Sequence, residues 1–217
     1  MRKLVVGILL LASACSVPVK QLPPIIPSPV PPVPVPPNGA AVGMYIPPAD
    51  ASGERATPNR GLGADESIWH FRSAFNVAAL NCMSPVHLRL ADDYNGFIAA
   101  HRTRLTQANK AVDAEFIRRY PGTNGLRVRD THMTDIYNYF ALPPVTAGFC
   151  DLMLKKSAEA QSVSDAQLGE FSKTALGEID DLFIDFYDAY ERYQRRLADW
   201  KELYGRRGKV TVESGTP

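Results

Sequence analysis

The chain has 217 residues, 45% hydrophobic and 22% charged, which is ordinary globular composition with apolar material for one core. Its 24 basic and 23 acidic residues leave a net charge of +1, falling to about −1 if Arg2 and Lys3 leave with a signal peptide. So balanced a chain has no overall field to gather phosphates, which argues against nucleic acid as a partner.

The N-terminus reads as an export signal. Arg2-Lys3 is a positive start, Leu4 to Ala12 is an apolar run, and Ala12-Ser13-Ala14 is a small-residue cleavage site. The run is too short to cross a bilayer, which takes about 20 apolar residues. Residues 1–14 are therefore set apart from the fold as a signal peptide. Leu11-Ala12-Ser13-Ala14-Cys15 resembles the lipobox of bacterial lipoproteins, although Ala12 is smaller than the residue usual there. The resemblance implies that Cys15 is acylated and becomes the mature N-terminus, holding the protein on a membrane through its lipid. Ser16 in place of the inner-membrane-retaining Asp implies the periplasmic side of the outer membrane. Cleavage after Ala14 by an ordinary signal peptidase would instead release a soluble periplasmic protein.

Residues 15–65 read as a disordered proline-rich stalk. Twelve of the eighteen prolines lie between Pro18 and Pro48. From Pro23 to Pro37 they forbid helix and ladder, leaving polyproline II and a semi-rigid reach of about 45 Å. A spacer is favoured over a ligand for a proline-recognising domain. The glycines between Asn38 and Asp65 continue it as flexible linker.

From Glu66 helical periodicity takes over, and an all-α antiparallel bundle of about five helices is expected over residues 66–204. Ile68, Phe71, Phe75, Ala79 and Cys82 form the first stripe. Ser84-Pro85 is the expected opening of a second helix, which carries Leu90, Tyr94, Phe97, Ile98, Leu105, Val112 and Phe116 and ends near Tyr120. A third is expected over about Arg127 to Ala141, and a fourth over about Val145 to Ala160. Ser164-x-x-Gln167 is a capping-box signature for a long last helix to Tyr204. Residues 205–217 read as a frayed tail.

Cys82 and Cys150 both sit among apolar residues, and in an exported chain they are expected to pair as a structural disulfide; lipidation of Cys15 would leave no odd thiol. No Cys-x-x-Cys motif points to redox catalysis. Trp69-x-x-Arg72-x-Ala74-x-Asn76-x-Ala78-Ala79-Leu80-x-Cys82, Tyr94-Asn95-x-x-Ile98-x-x-His101 and Phe149-Cys150 resemble a family of exported helical proteins of alphaproteobacteria. That resemblance spans about Trp69 to Cys150 and implies a helical fold with a cysteine pair, but no activity.

His101 follows Tyr94 and Ile98 on a buried face, where a core histidine bonded to a tyrosine hydroxyl or backbone carbonyl is favoured over a ligand or general base partnered by a Tyr or Asp of the last helix. Arg72 and Asn76, one turn apart, are candidates with His101 for a small-ligand pocket that binds a carboxylate, but a buried structural network is favoured for them. His70, His87 and His132 show no Glu-x-x-His or His-Glu-x-x-His spacing, so the sequence offers no metal site and implies no cofactor. Asp181, Asp185 and Asp188 read as a solvated helix face. Tyr187, among surplus aromatics, is a docking candidate only if exposed, and core packing is favoured for it. With no Gly-x-Ser-x-Gly and no phosphate loop, the expectation is a non-enzymatic envelope protein contacting another protein or a wall component. The alternative is a periplasmic small-ligand or metal-binding bundle.

Overall fold

The computed structural model describes residues 30–122 and 124–205. The signal segment, Cys15, the stalk before residue 30 and the tail beyond residue 205 lie outside the described residues.

Six helices make an all-α bundle: α1 (Ala64–Asn81), α2 (Arg89–Ala100), α3 (Arg102–Arg119), α4 (Gly125–Phe140), α5 (Thr146–Ala160) and α6 (Leu168–Tyr204). Among the described residues there is no strand, only an isolated bridge between Ala49 and Arg55. None of these helices is long and apolar enough to cross a membrane.

Helix α1 is the axis, packing against all five other helices. Its residues explain this position. Asp65 and Glu66 in the first turn favour the positive end of the helix dipole. Ile68, Phe71, Ala74, Phe75 and Ala78 are buried on one flank, and Ser67, His70, Ser73 and Val77 are buried around the rest. A helix enclosed on most sides needs small residues where neighbours approach. Phe71, Phe75, Tyr94 and Phe97 meet as an aromatic cluster with centroids 5.5–6.1 Å apart.

The Cys82–Cys150 disulfide, with Cα atoms 5.5 Å apart, joins the end of α1 to α5. Asn124 caps α4 by accepting the Arg127 N–H at 3.2 Å. A side chain at Gly125 would press to 2.8 Å of the α3 backbone, so glycine sets the close approach of the two helices.

Three boundaries differ from expectation. Ser84-Pro85 opens a turn instead of a helix, and α2 begins at Arg89. The expected second helix is two, separated at His101 (φ −102°, ψ 18°), although the N–H of His101 and its carbonyl continue the helical bonding to Phe97 and Leu105. No glycine or proline marks this one-residue kink. The capping box is half formed: the Gln167 side chain accepts from Ser164, but the Gln167 N–H goes to the Ser164 carbonyl and the helix starts at Leu168.

The larger correction concerns the linker. From Val33 the chain belongs to the same compact unit as the bundle, and over residues 38–60 it is a strap bonded along α6. Asn38 Nδ2 donates to the Pro144 carbonyl at 3.0 Å. The Tyr190 hydroxyl accepts the Met44 N–H at 2.9 Å and donates to the Ala41 carbonyl at 2.7 Å. Arg55, only 3% exposed, donates to Asp188 at 2.8 Å, to Glu191 and to the Pro47 carbonyl. Thr57 and Asn59 donate to Asp180. Backbone groups that proline and glycine leave without a ladder thus find side-chain partners on the helix.

Candidate functional site

The polar interior of the bundle is organised around Asp180 on α6. Its carboxylate accepts from Thr57 Oγ1, from Asn59 Nδ2 at 2.6 Å and from the Tyr139 hydroxyl at 2.9 Å. Burial pushes this carboxyl above its usual range, against the three donors. Because Asn59 spends its amide N–H on a carboxylate, its Oδ1 is left to accept from His70 Nδ1 at 2.9 Å. His70 is therefore the Nδ1–H tautomer, and its Nε2 lone pair points at His132 Nε2, 3.2 Å away.

Burial, with His132 beside it, holds the His70 pKa down at about 3. Burial lowers that of His132 too, against the opposing pull of Glu66 and Asp135. Both rings are thus uncharged imidazoles at neutral pH. The Glu66 carboxylate completes the group: one ligand atom each from Glu66, His70 and His132 lie within 4.8 Å of one another. Glu66 Oε2 also meets Arg119 at 3.4 Å, and both residues line a cavity of about 330 Å³ with Gly63, Val112 and Glu115. Phe116 flanks the His132 ring, its centroid 5.4 Å away.

No Glu-x-x-His or His-Glu-x-x-His spacing marks this cluster in the sequence. The available signal was Glu66 and His70, four apart on one helix and so on one face. His132, on α4, joins them only through the fold.

The residues that the sequence did single out are dispersed. His101 is buried at the α2–α3 kink, where Nδ1 donates to Asp165 at 2.5 Å and the ring lies 5.0 Å from Phe97. The ring is buried in the core, but its partner is a half-exposed carboxylate instead of the expected tyrosine hydroxyl or backbone carbonyl. Asp165 sits in the turn before α6. The Arg72 guanidinium lies over Trp69 at 4.7 Å and faces Tyr94 at 5.9 Å. Asn76 bonds the Tyr94 hydroxyl. Arg72 and Asn76 thus join an aromatic network, and Arg72 also lines a cavity of about 270 Å³ with Trp69 and Ile98, which neither Asn76 nor His101 lines. Asp181 and Asp185 are exposed as expected, but Asp188 holds Arg55. Tyr187 is packed in the core, as favoured from the sequence: it is 5% exposed, and burial pushes its hydroxyl up to about 12.

A second feature lies at the other end of α1. His87, buried, accepts from Ser84 Oγ at 2.9 Å and donates from Nε2 to Asp151 at 2.8 Å. Together with the disulfide, these bonds pin the α1–α2 loop on α5. Apolar residues of this loop and of the last turn of α1 nonetheless face solvent: Leu80, on α1, and Met83, Val86 and Leu88 beyond it are 56–68% exposed. A cavity of about 500 Å³, lined by Met83, His87, Pro143 and Ala147 among others, opens beside it.

These features define a class: a disulfide-closed helical bundle with a buried histidine–carboxylate cluster and an exposed apolar loop. Compared with family models, curated proteins and solved structures, the chain matches none.

Proposed function

We propose that the protein is a non-enzymatic component of the cell envelope, exported and held by lipid on Cys15 at the periplasmic side of the outer membrane. There its bundle meets another envelope protein. The observation that carries this reading is the pinned apolar segment from Leu80 to Leu88. Four large apolar side chains left in water within nine residues oppose the usual drive to burial. They sit on a segment held by a disulfide and two side-chain bonds, so little order remains to be imposed on docking. The buried disulfide suits an oxidising compartment.

A photo-crosslinking residue at Val86, introduced in the source cells, is expected to give a discrete adduct with one envelope protein. The same probe at exposed Lys173 on α6 should not. Serine at Val86 and Leu88 should abolish the contact without lowering the melting temperature. Equal labelling from both sites, or none, would remove the interaction reading. Cys15→Ser is expected to move the protein from the membrane to the soluble fraction and to end labelling by palmitate. Unchanged fractionation, with no labelled wild-type band, would dismiss the lipid anchor separately.

A further inference from the structure

We propose that His70 Nε2, His132 Nε2 and the Glu66 carboxylate form a binding site for a divalent transition ion of the zinc class. The two ring nitrogens face each other at 3.2 Å. Two imidazoles on one tetrahedral ion, each at about 2.0–2.1 Å, place their nitrogens about 3.3 Å apart. The bite is thus already present in the packing of α1 against α4. Two neutral nitrogens and one carboxylate form a borderline-soft set that suits zinc, cobalt, nickel or copper ions, in contrast to the all-oxygen shells of calcium and magnesium.

The outer partners fit the same reading. A metal-binding histidine typically donates its other ring N–H to a fixed acceptor, which sets the tautomer and aims the free nitrogen. Here Asn59 Oδ1 is that acceptor for His70, and Asn59 is oriented in turn by Asp180, itself held by Thr57 and Tyr139. A half-buried four-residue relay that aims one lone pair at a second histidine is a larger construction than core packing requires. Without an ion, His132 must carry its proton on Nε2 and donate it to His70. To bind, it moves that proton to Nδ1, so neither ring releases a net proton. Glu66 leaves its long contact with Arg119, and the neighbouring cavity admits water as the fourth ligand.

The test is titration of the full chain, free of any histidine tag, with Co2+ followed by Zn2+. Wild type is expected to bind one Co2+ with the visible absorption of a tetrahedral site, to lose it to Zn2+, and to melt at higher temperature with either ion. His132→Asn should weaken binding at least about tenfold, and Glu66→Gln should weaken it while leaving both imidazoles in place. Asn59→Ala should weaken it about tenfold while keeping the tetrahedral spectrum, as expected of a positioning residue. His87→Asn, at the far end of α1, should bind as wild type. Circular dichroism checks that each variant is folded, and His132, half-buried, tolerates exchange better than His70. Failure of wild type to bind either ion at millimolar concentration would overturn the proposal. So would equal losses in His87→Asn and His132→Asn, or undiminished binding in both His132→Asn and Glu66→Gln.

Discussion

Helix α1 and the strap of residues 38–60 both lie against α6, and they are held there by opposite means. The helix buries apolar side chains at intervals of three and four and is tied at its end by a disulfide. The strap adds only Ala40 to the buried core, with Met44 and Ile46 partly buried against it, and relies on bonds between its polar groups and Tyr190, Asp188, Glu191 and Asp180. Hydrophobic contact is non-directional and cooperative across a core, whereas each hydrogen bond contributes about 1 kcal/mol net and depends on one partner. The helix therefore survives the loss of single contacts, and the strap detaches contact by contact.

The largest expected effect lies on the helix side. Replacing both Cys82 and Cys150 with Ala should cost about 4 kcal/mol, because the bridge closes a long loop in the unfolded chain. Chemical denaturation, with the wild type under reducing conditions as a second sample, measures it. Arg55→Ala is expected to cost less, about 2 kcal/mol. It removes a buried guanidinium but leaves two carboxylates that water reaches. Amide exchange should quicken at Met44 and along the strap while α1 stays protected; equal acceleration in both would erase the distinction drawn here. Tyr190→Phe should cost about 1 kcal/mol by stranding the Met44 N–H and the Ala41 carbonyl.

The smallest effect at neutral pH is that of the proton. His70 is depressed to about 3 in the fold and His132 is also lowered. The unfolded chain then binds more protons than the folded one once the pH drops below about 6.5. Their contribution is whole above that value and is lost as the pH falls from about 6.5 towards 3. Melting temperature across this window should fall less steeply in a His70→Gln variant than in the wild type.

The same contrast explains what the sequence could reveal. The helices were legible because burial repeats with the turn: Ile68, Phe71 and Phe75, or Ile179, Phe186, Tyr190 and Tyr193, declare their faces. Arg55, Thr57 and Asn59 follow no period, and each finds its partner more than 120 residues away, so nothing local distinguished a bonded strap from a linker. Tyr187, surplus to a single core seam, is buried all the same, and Arg55 of the strap lies near enough to act on its hydroxyl. The cysteine pair was legible from the residues alone, since Cys82 and Cys150 each lie on an apolar stripe of helical period and the structure brings them together. The histidine cluster was half legible: Glu66 and His70 share a face, but the loop geometry that brings α4 across them has no sequence signature.

The strap also governs how the protein answers mechanical load. Tension applied at Val33 reaches the Asn38–Pro144 bond first, then the Tyr190 pair, then Arg55, and last the Asp180 anchor. These fasteners yield one after another, as in a zipper, instead of together. Roughly 30 residues can pay out, about 100 Å of chain at full extension, before force arrives at α1. A protein hung by its front end would thus have a built-in fuse that gives way reversibly while the helices keep their shape.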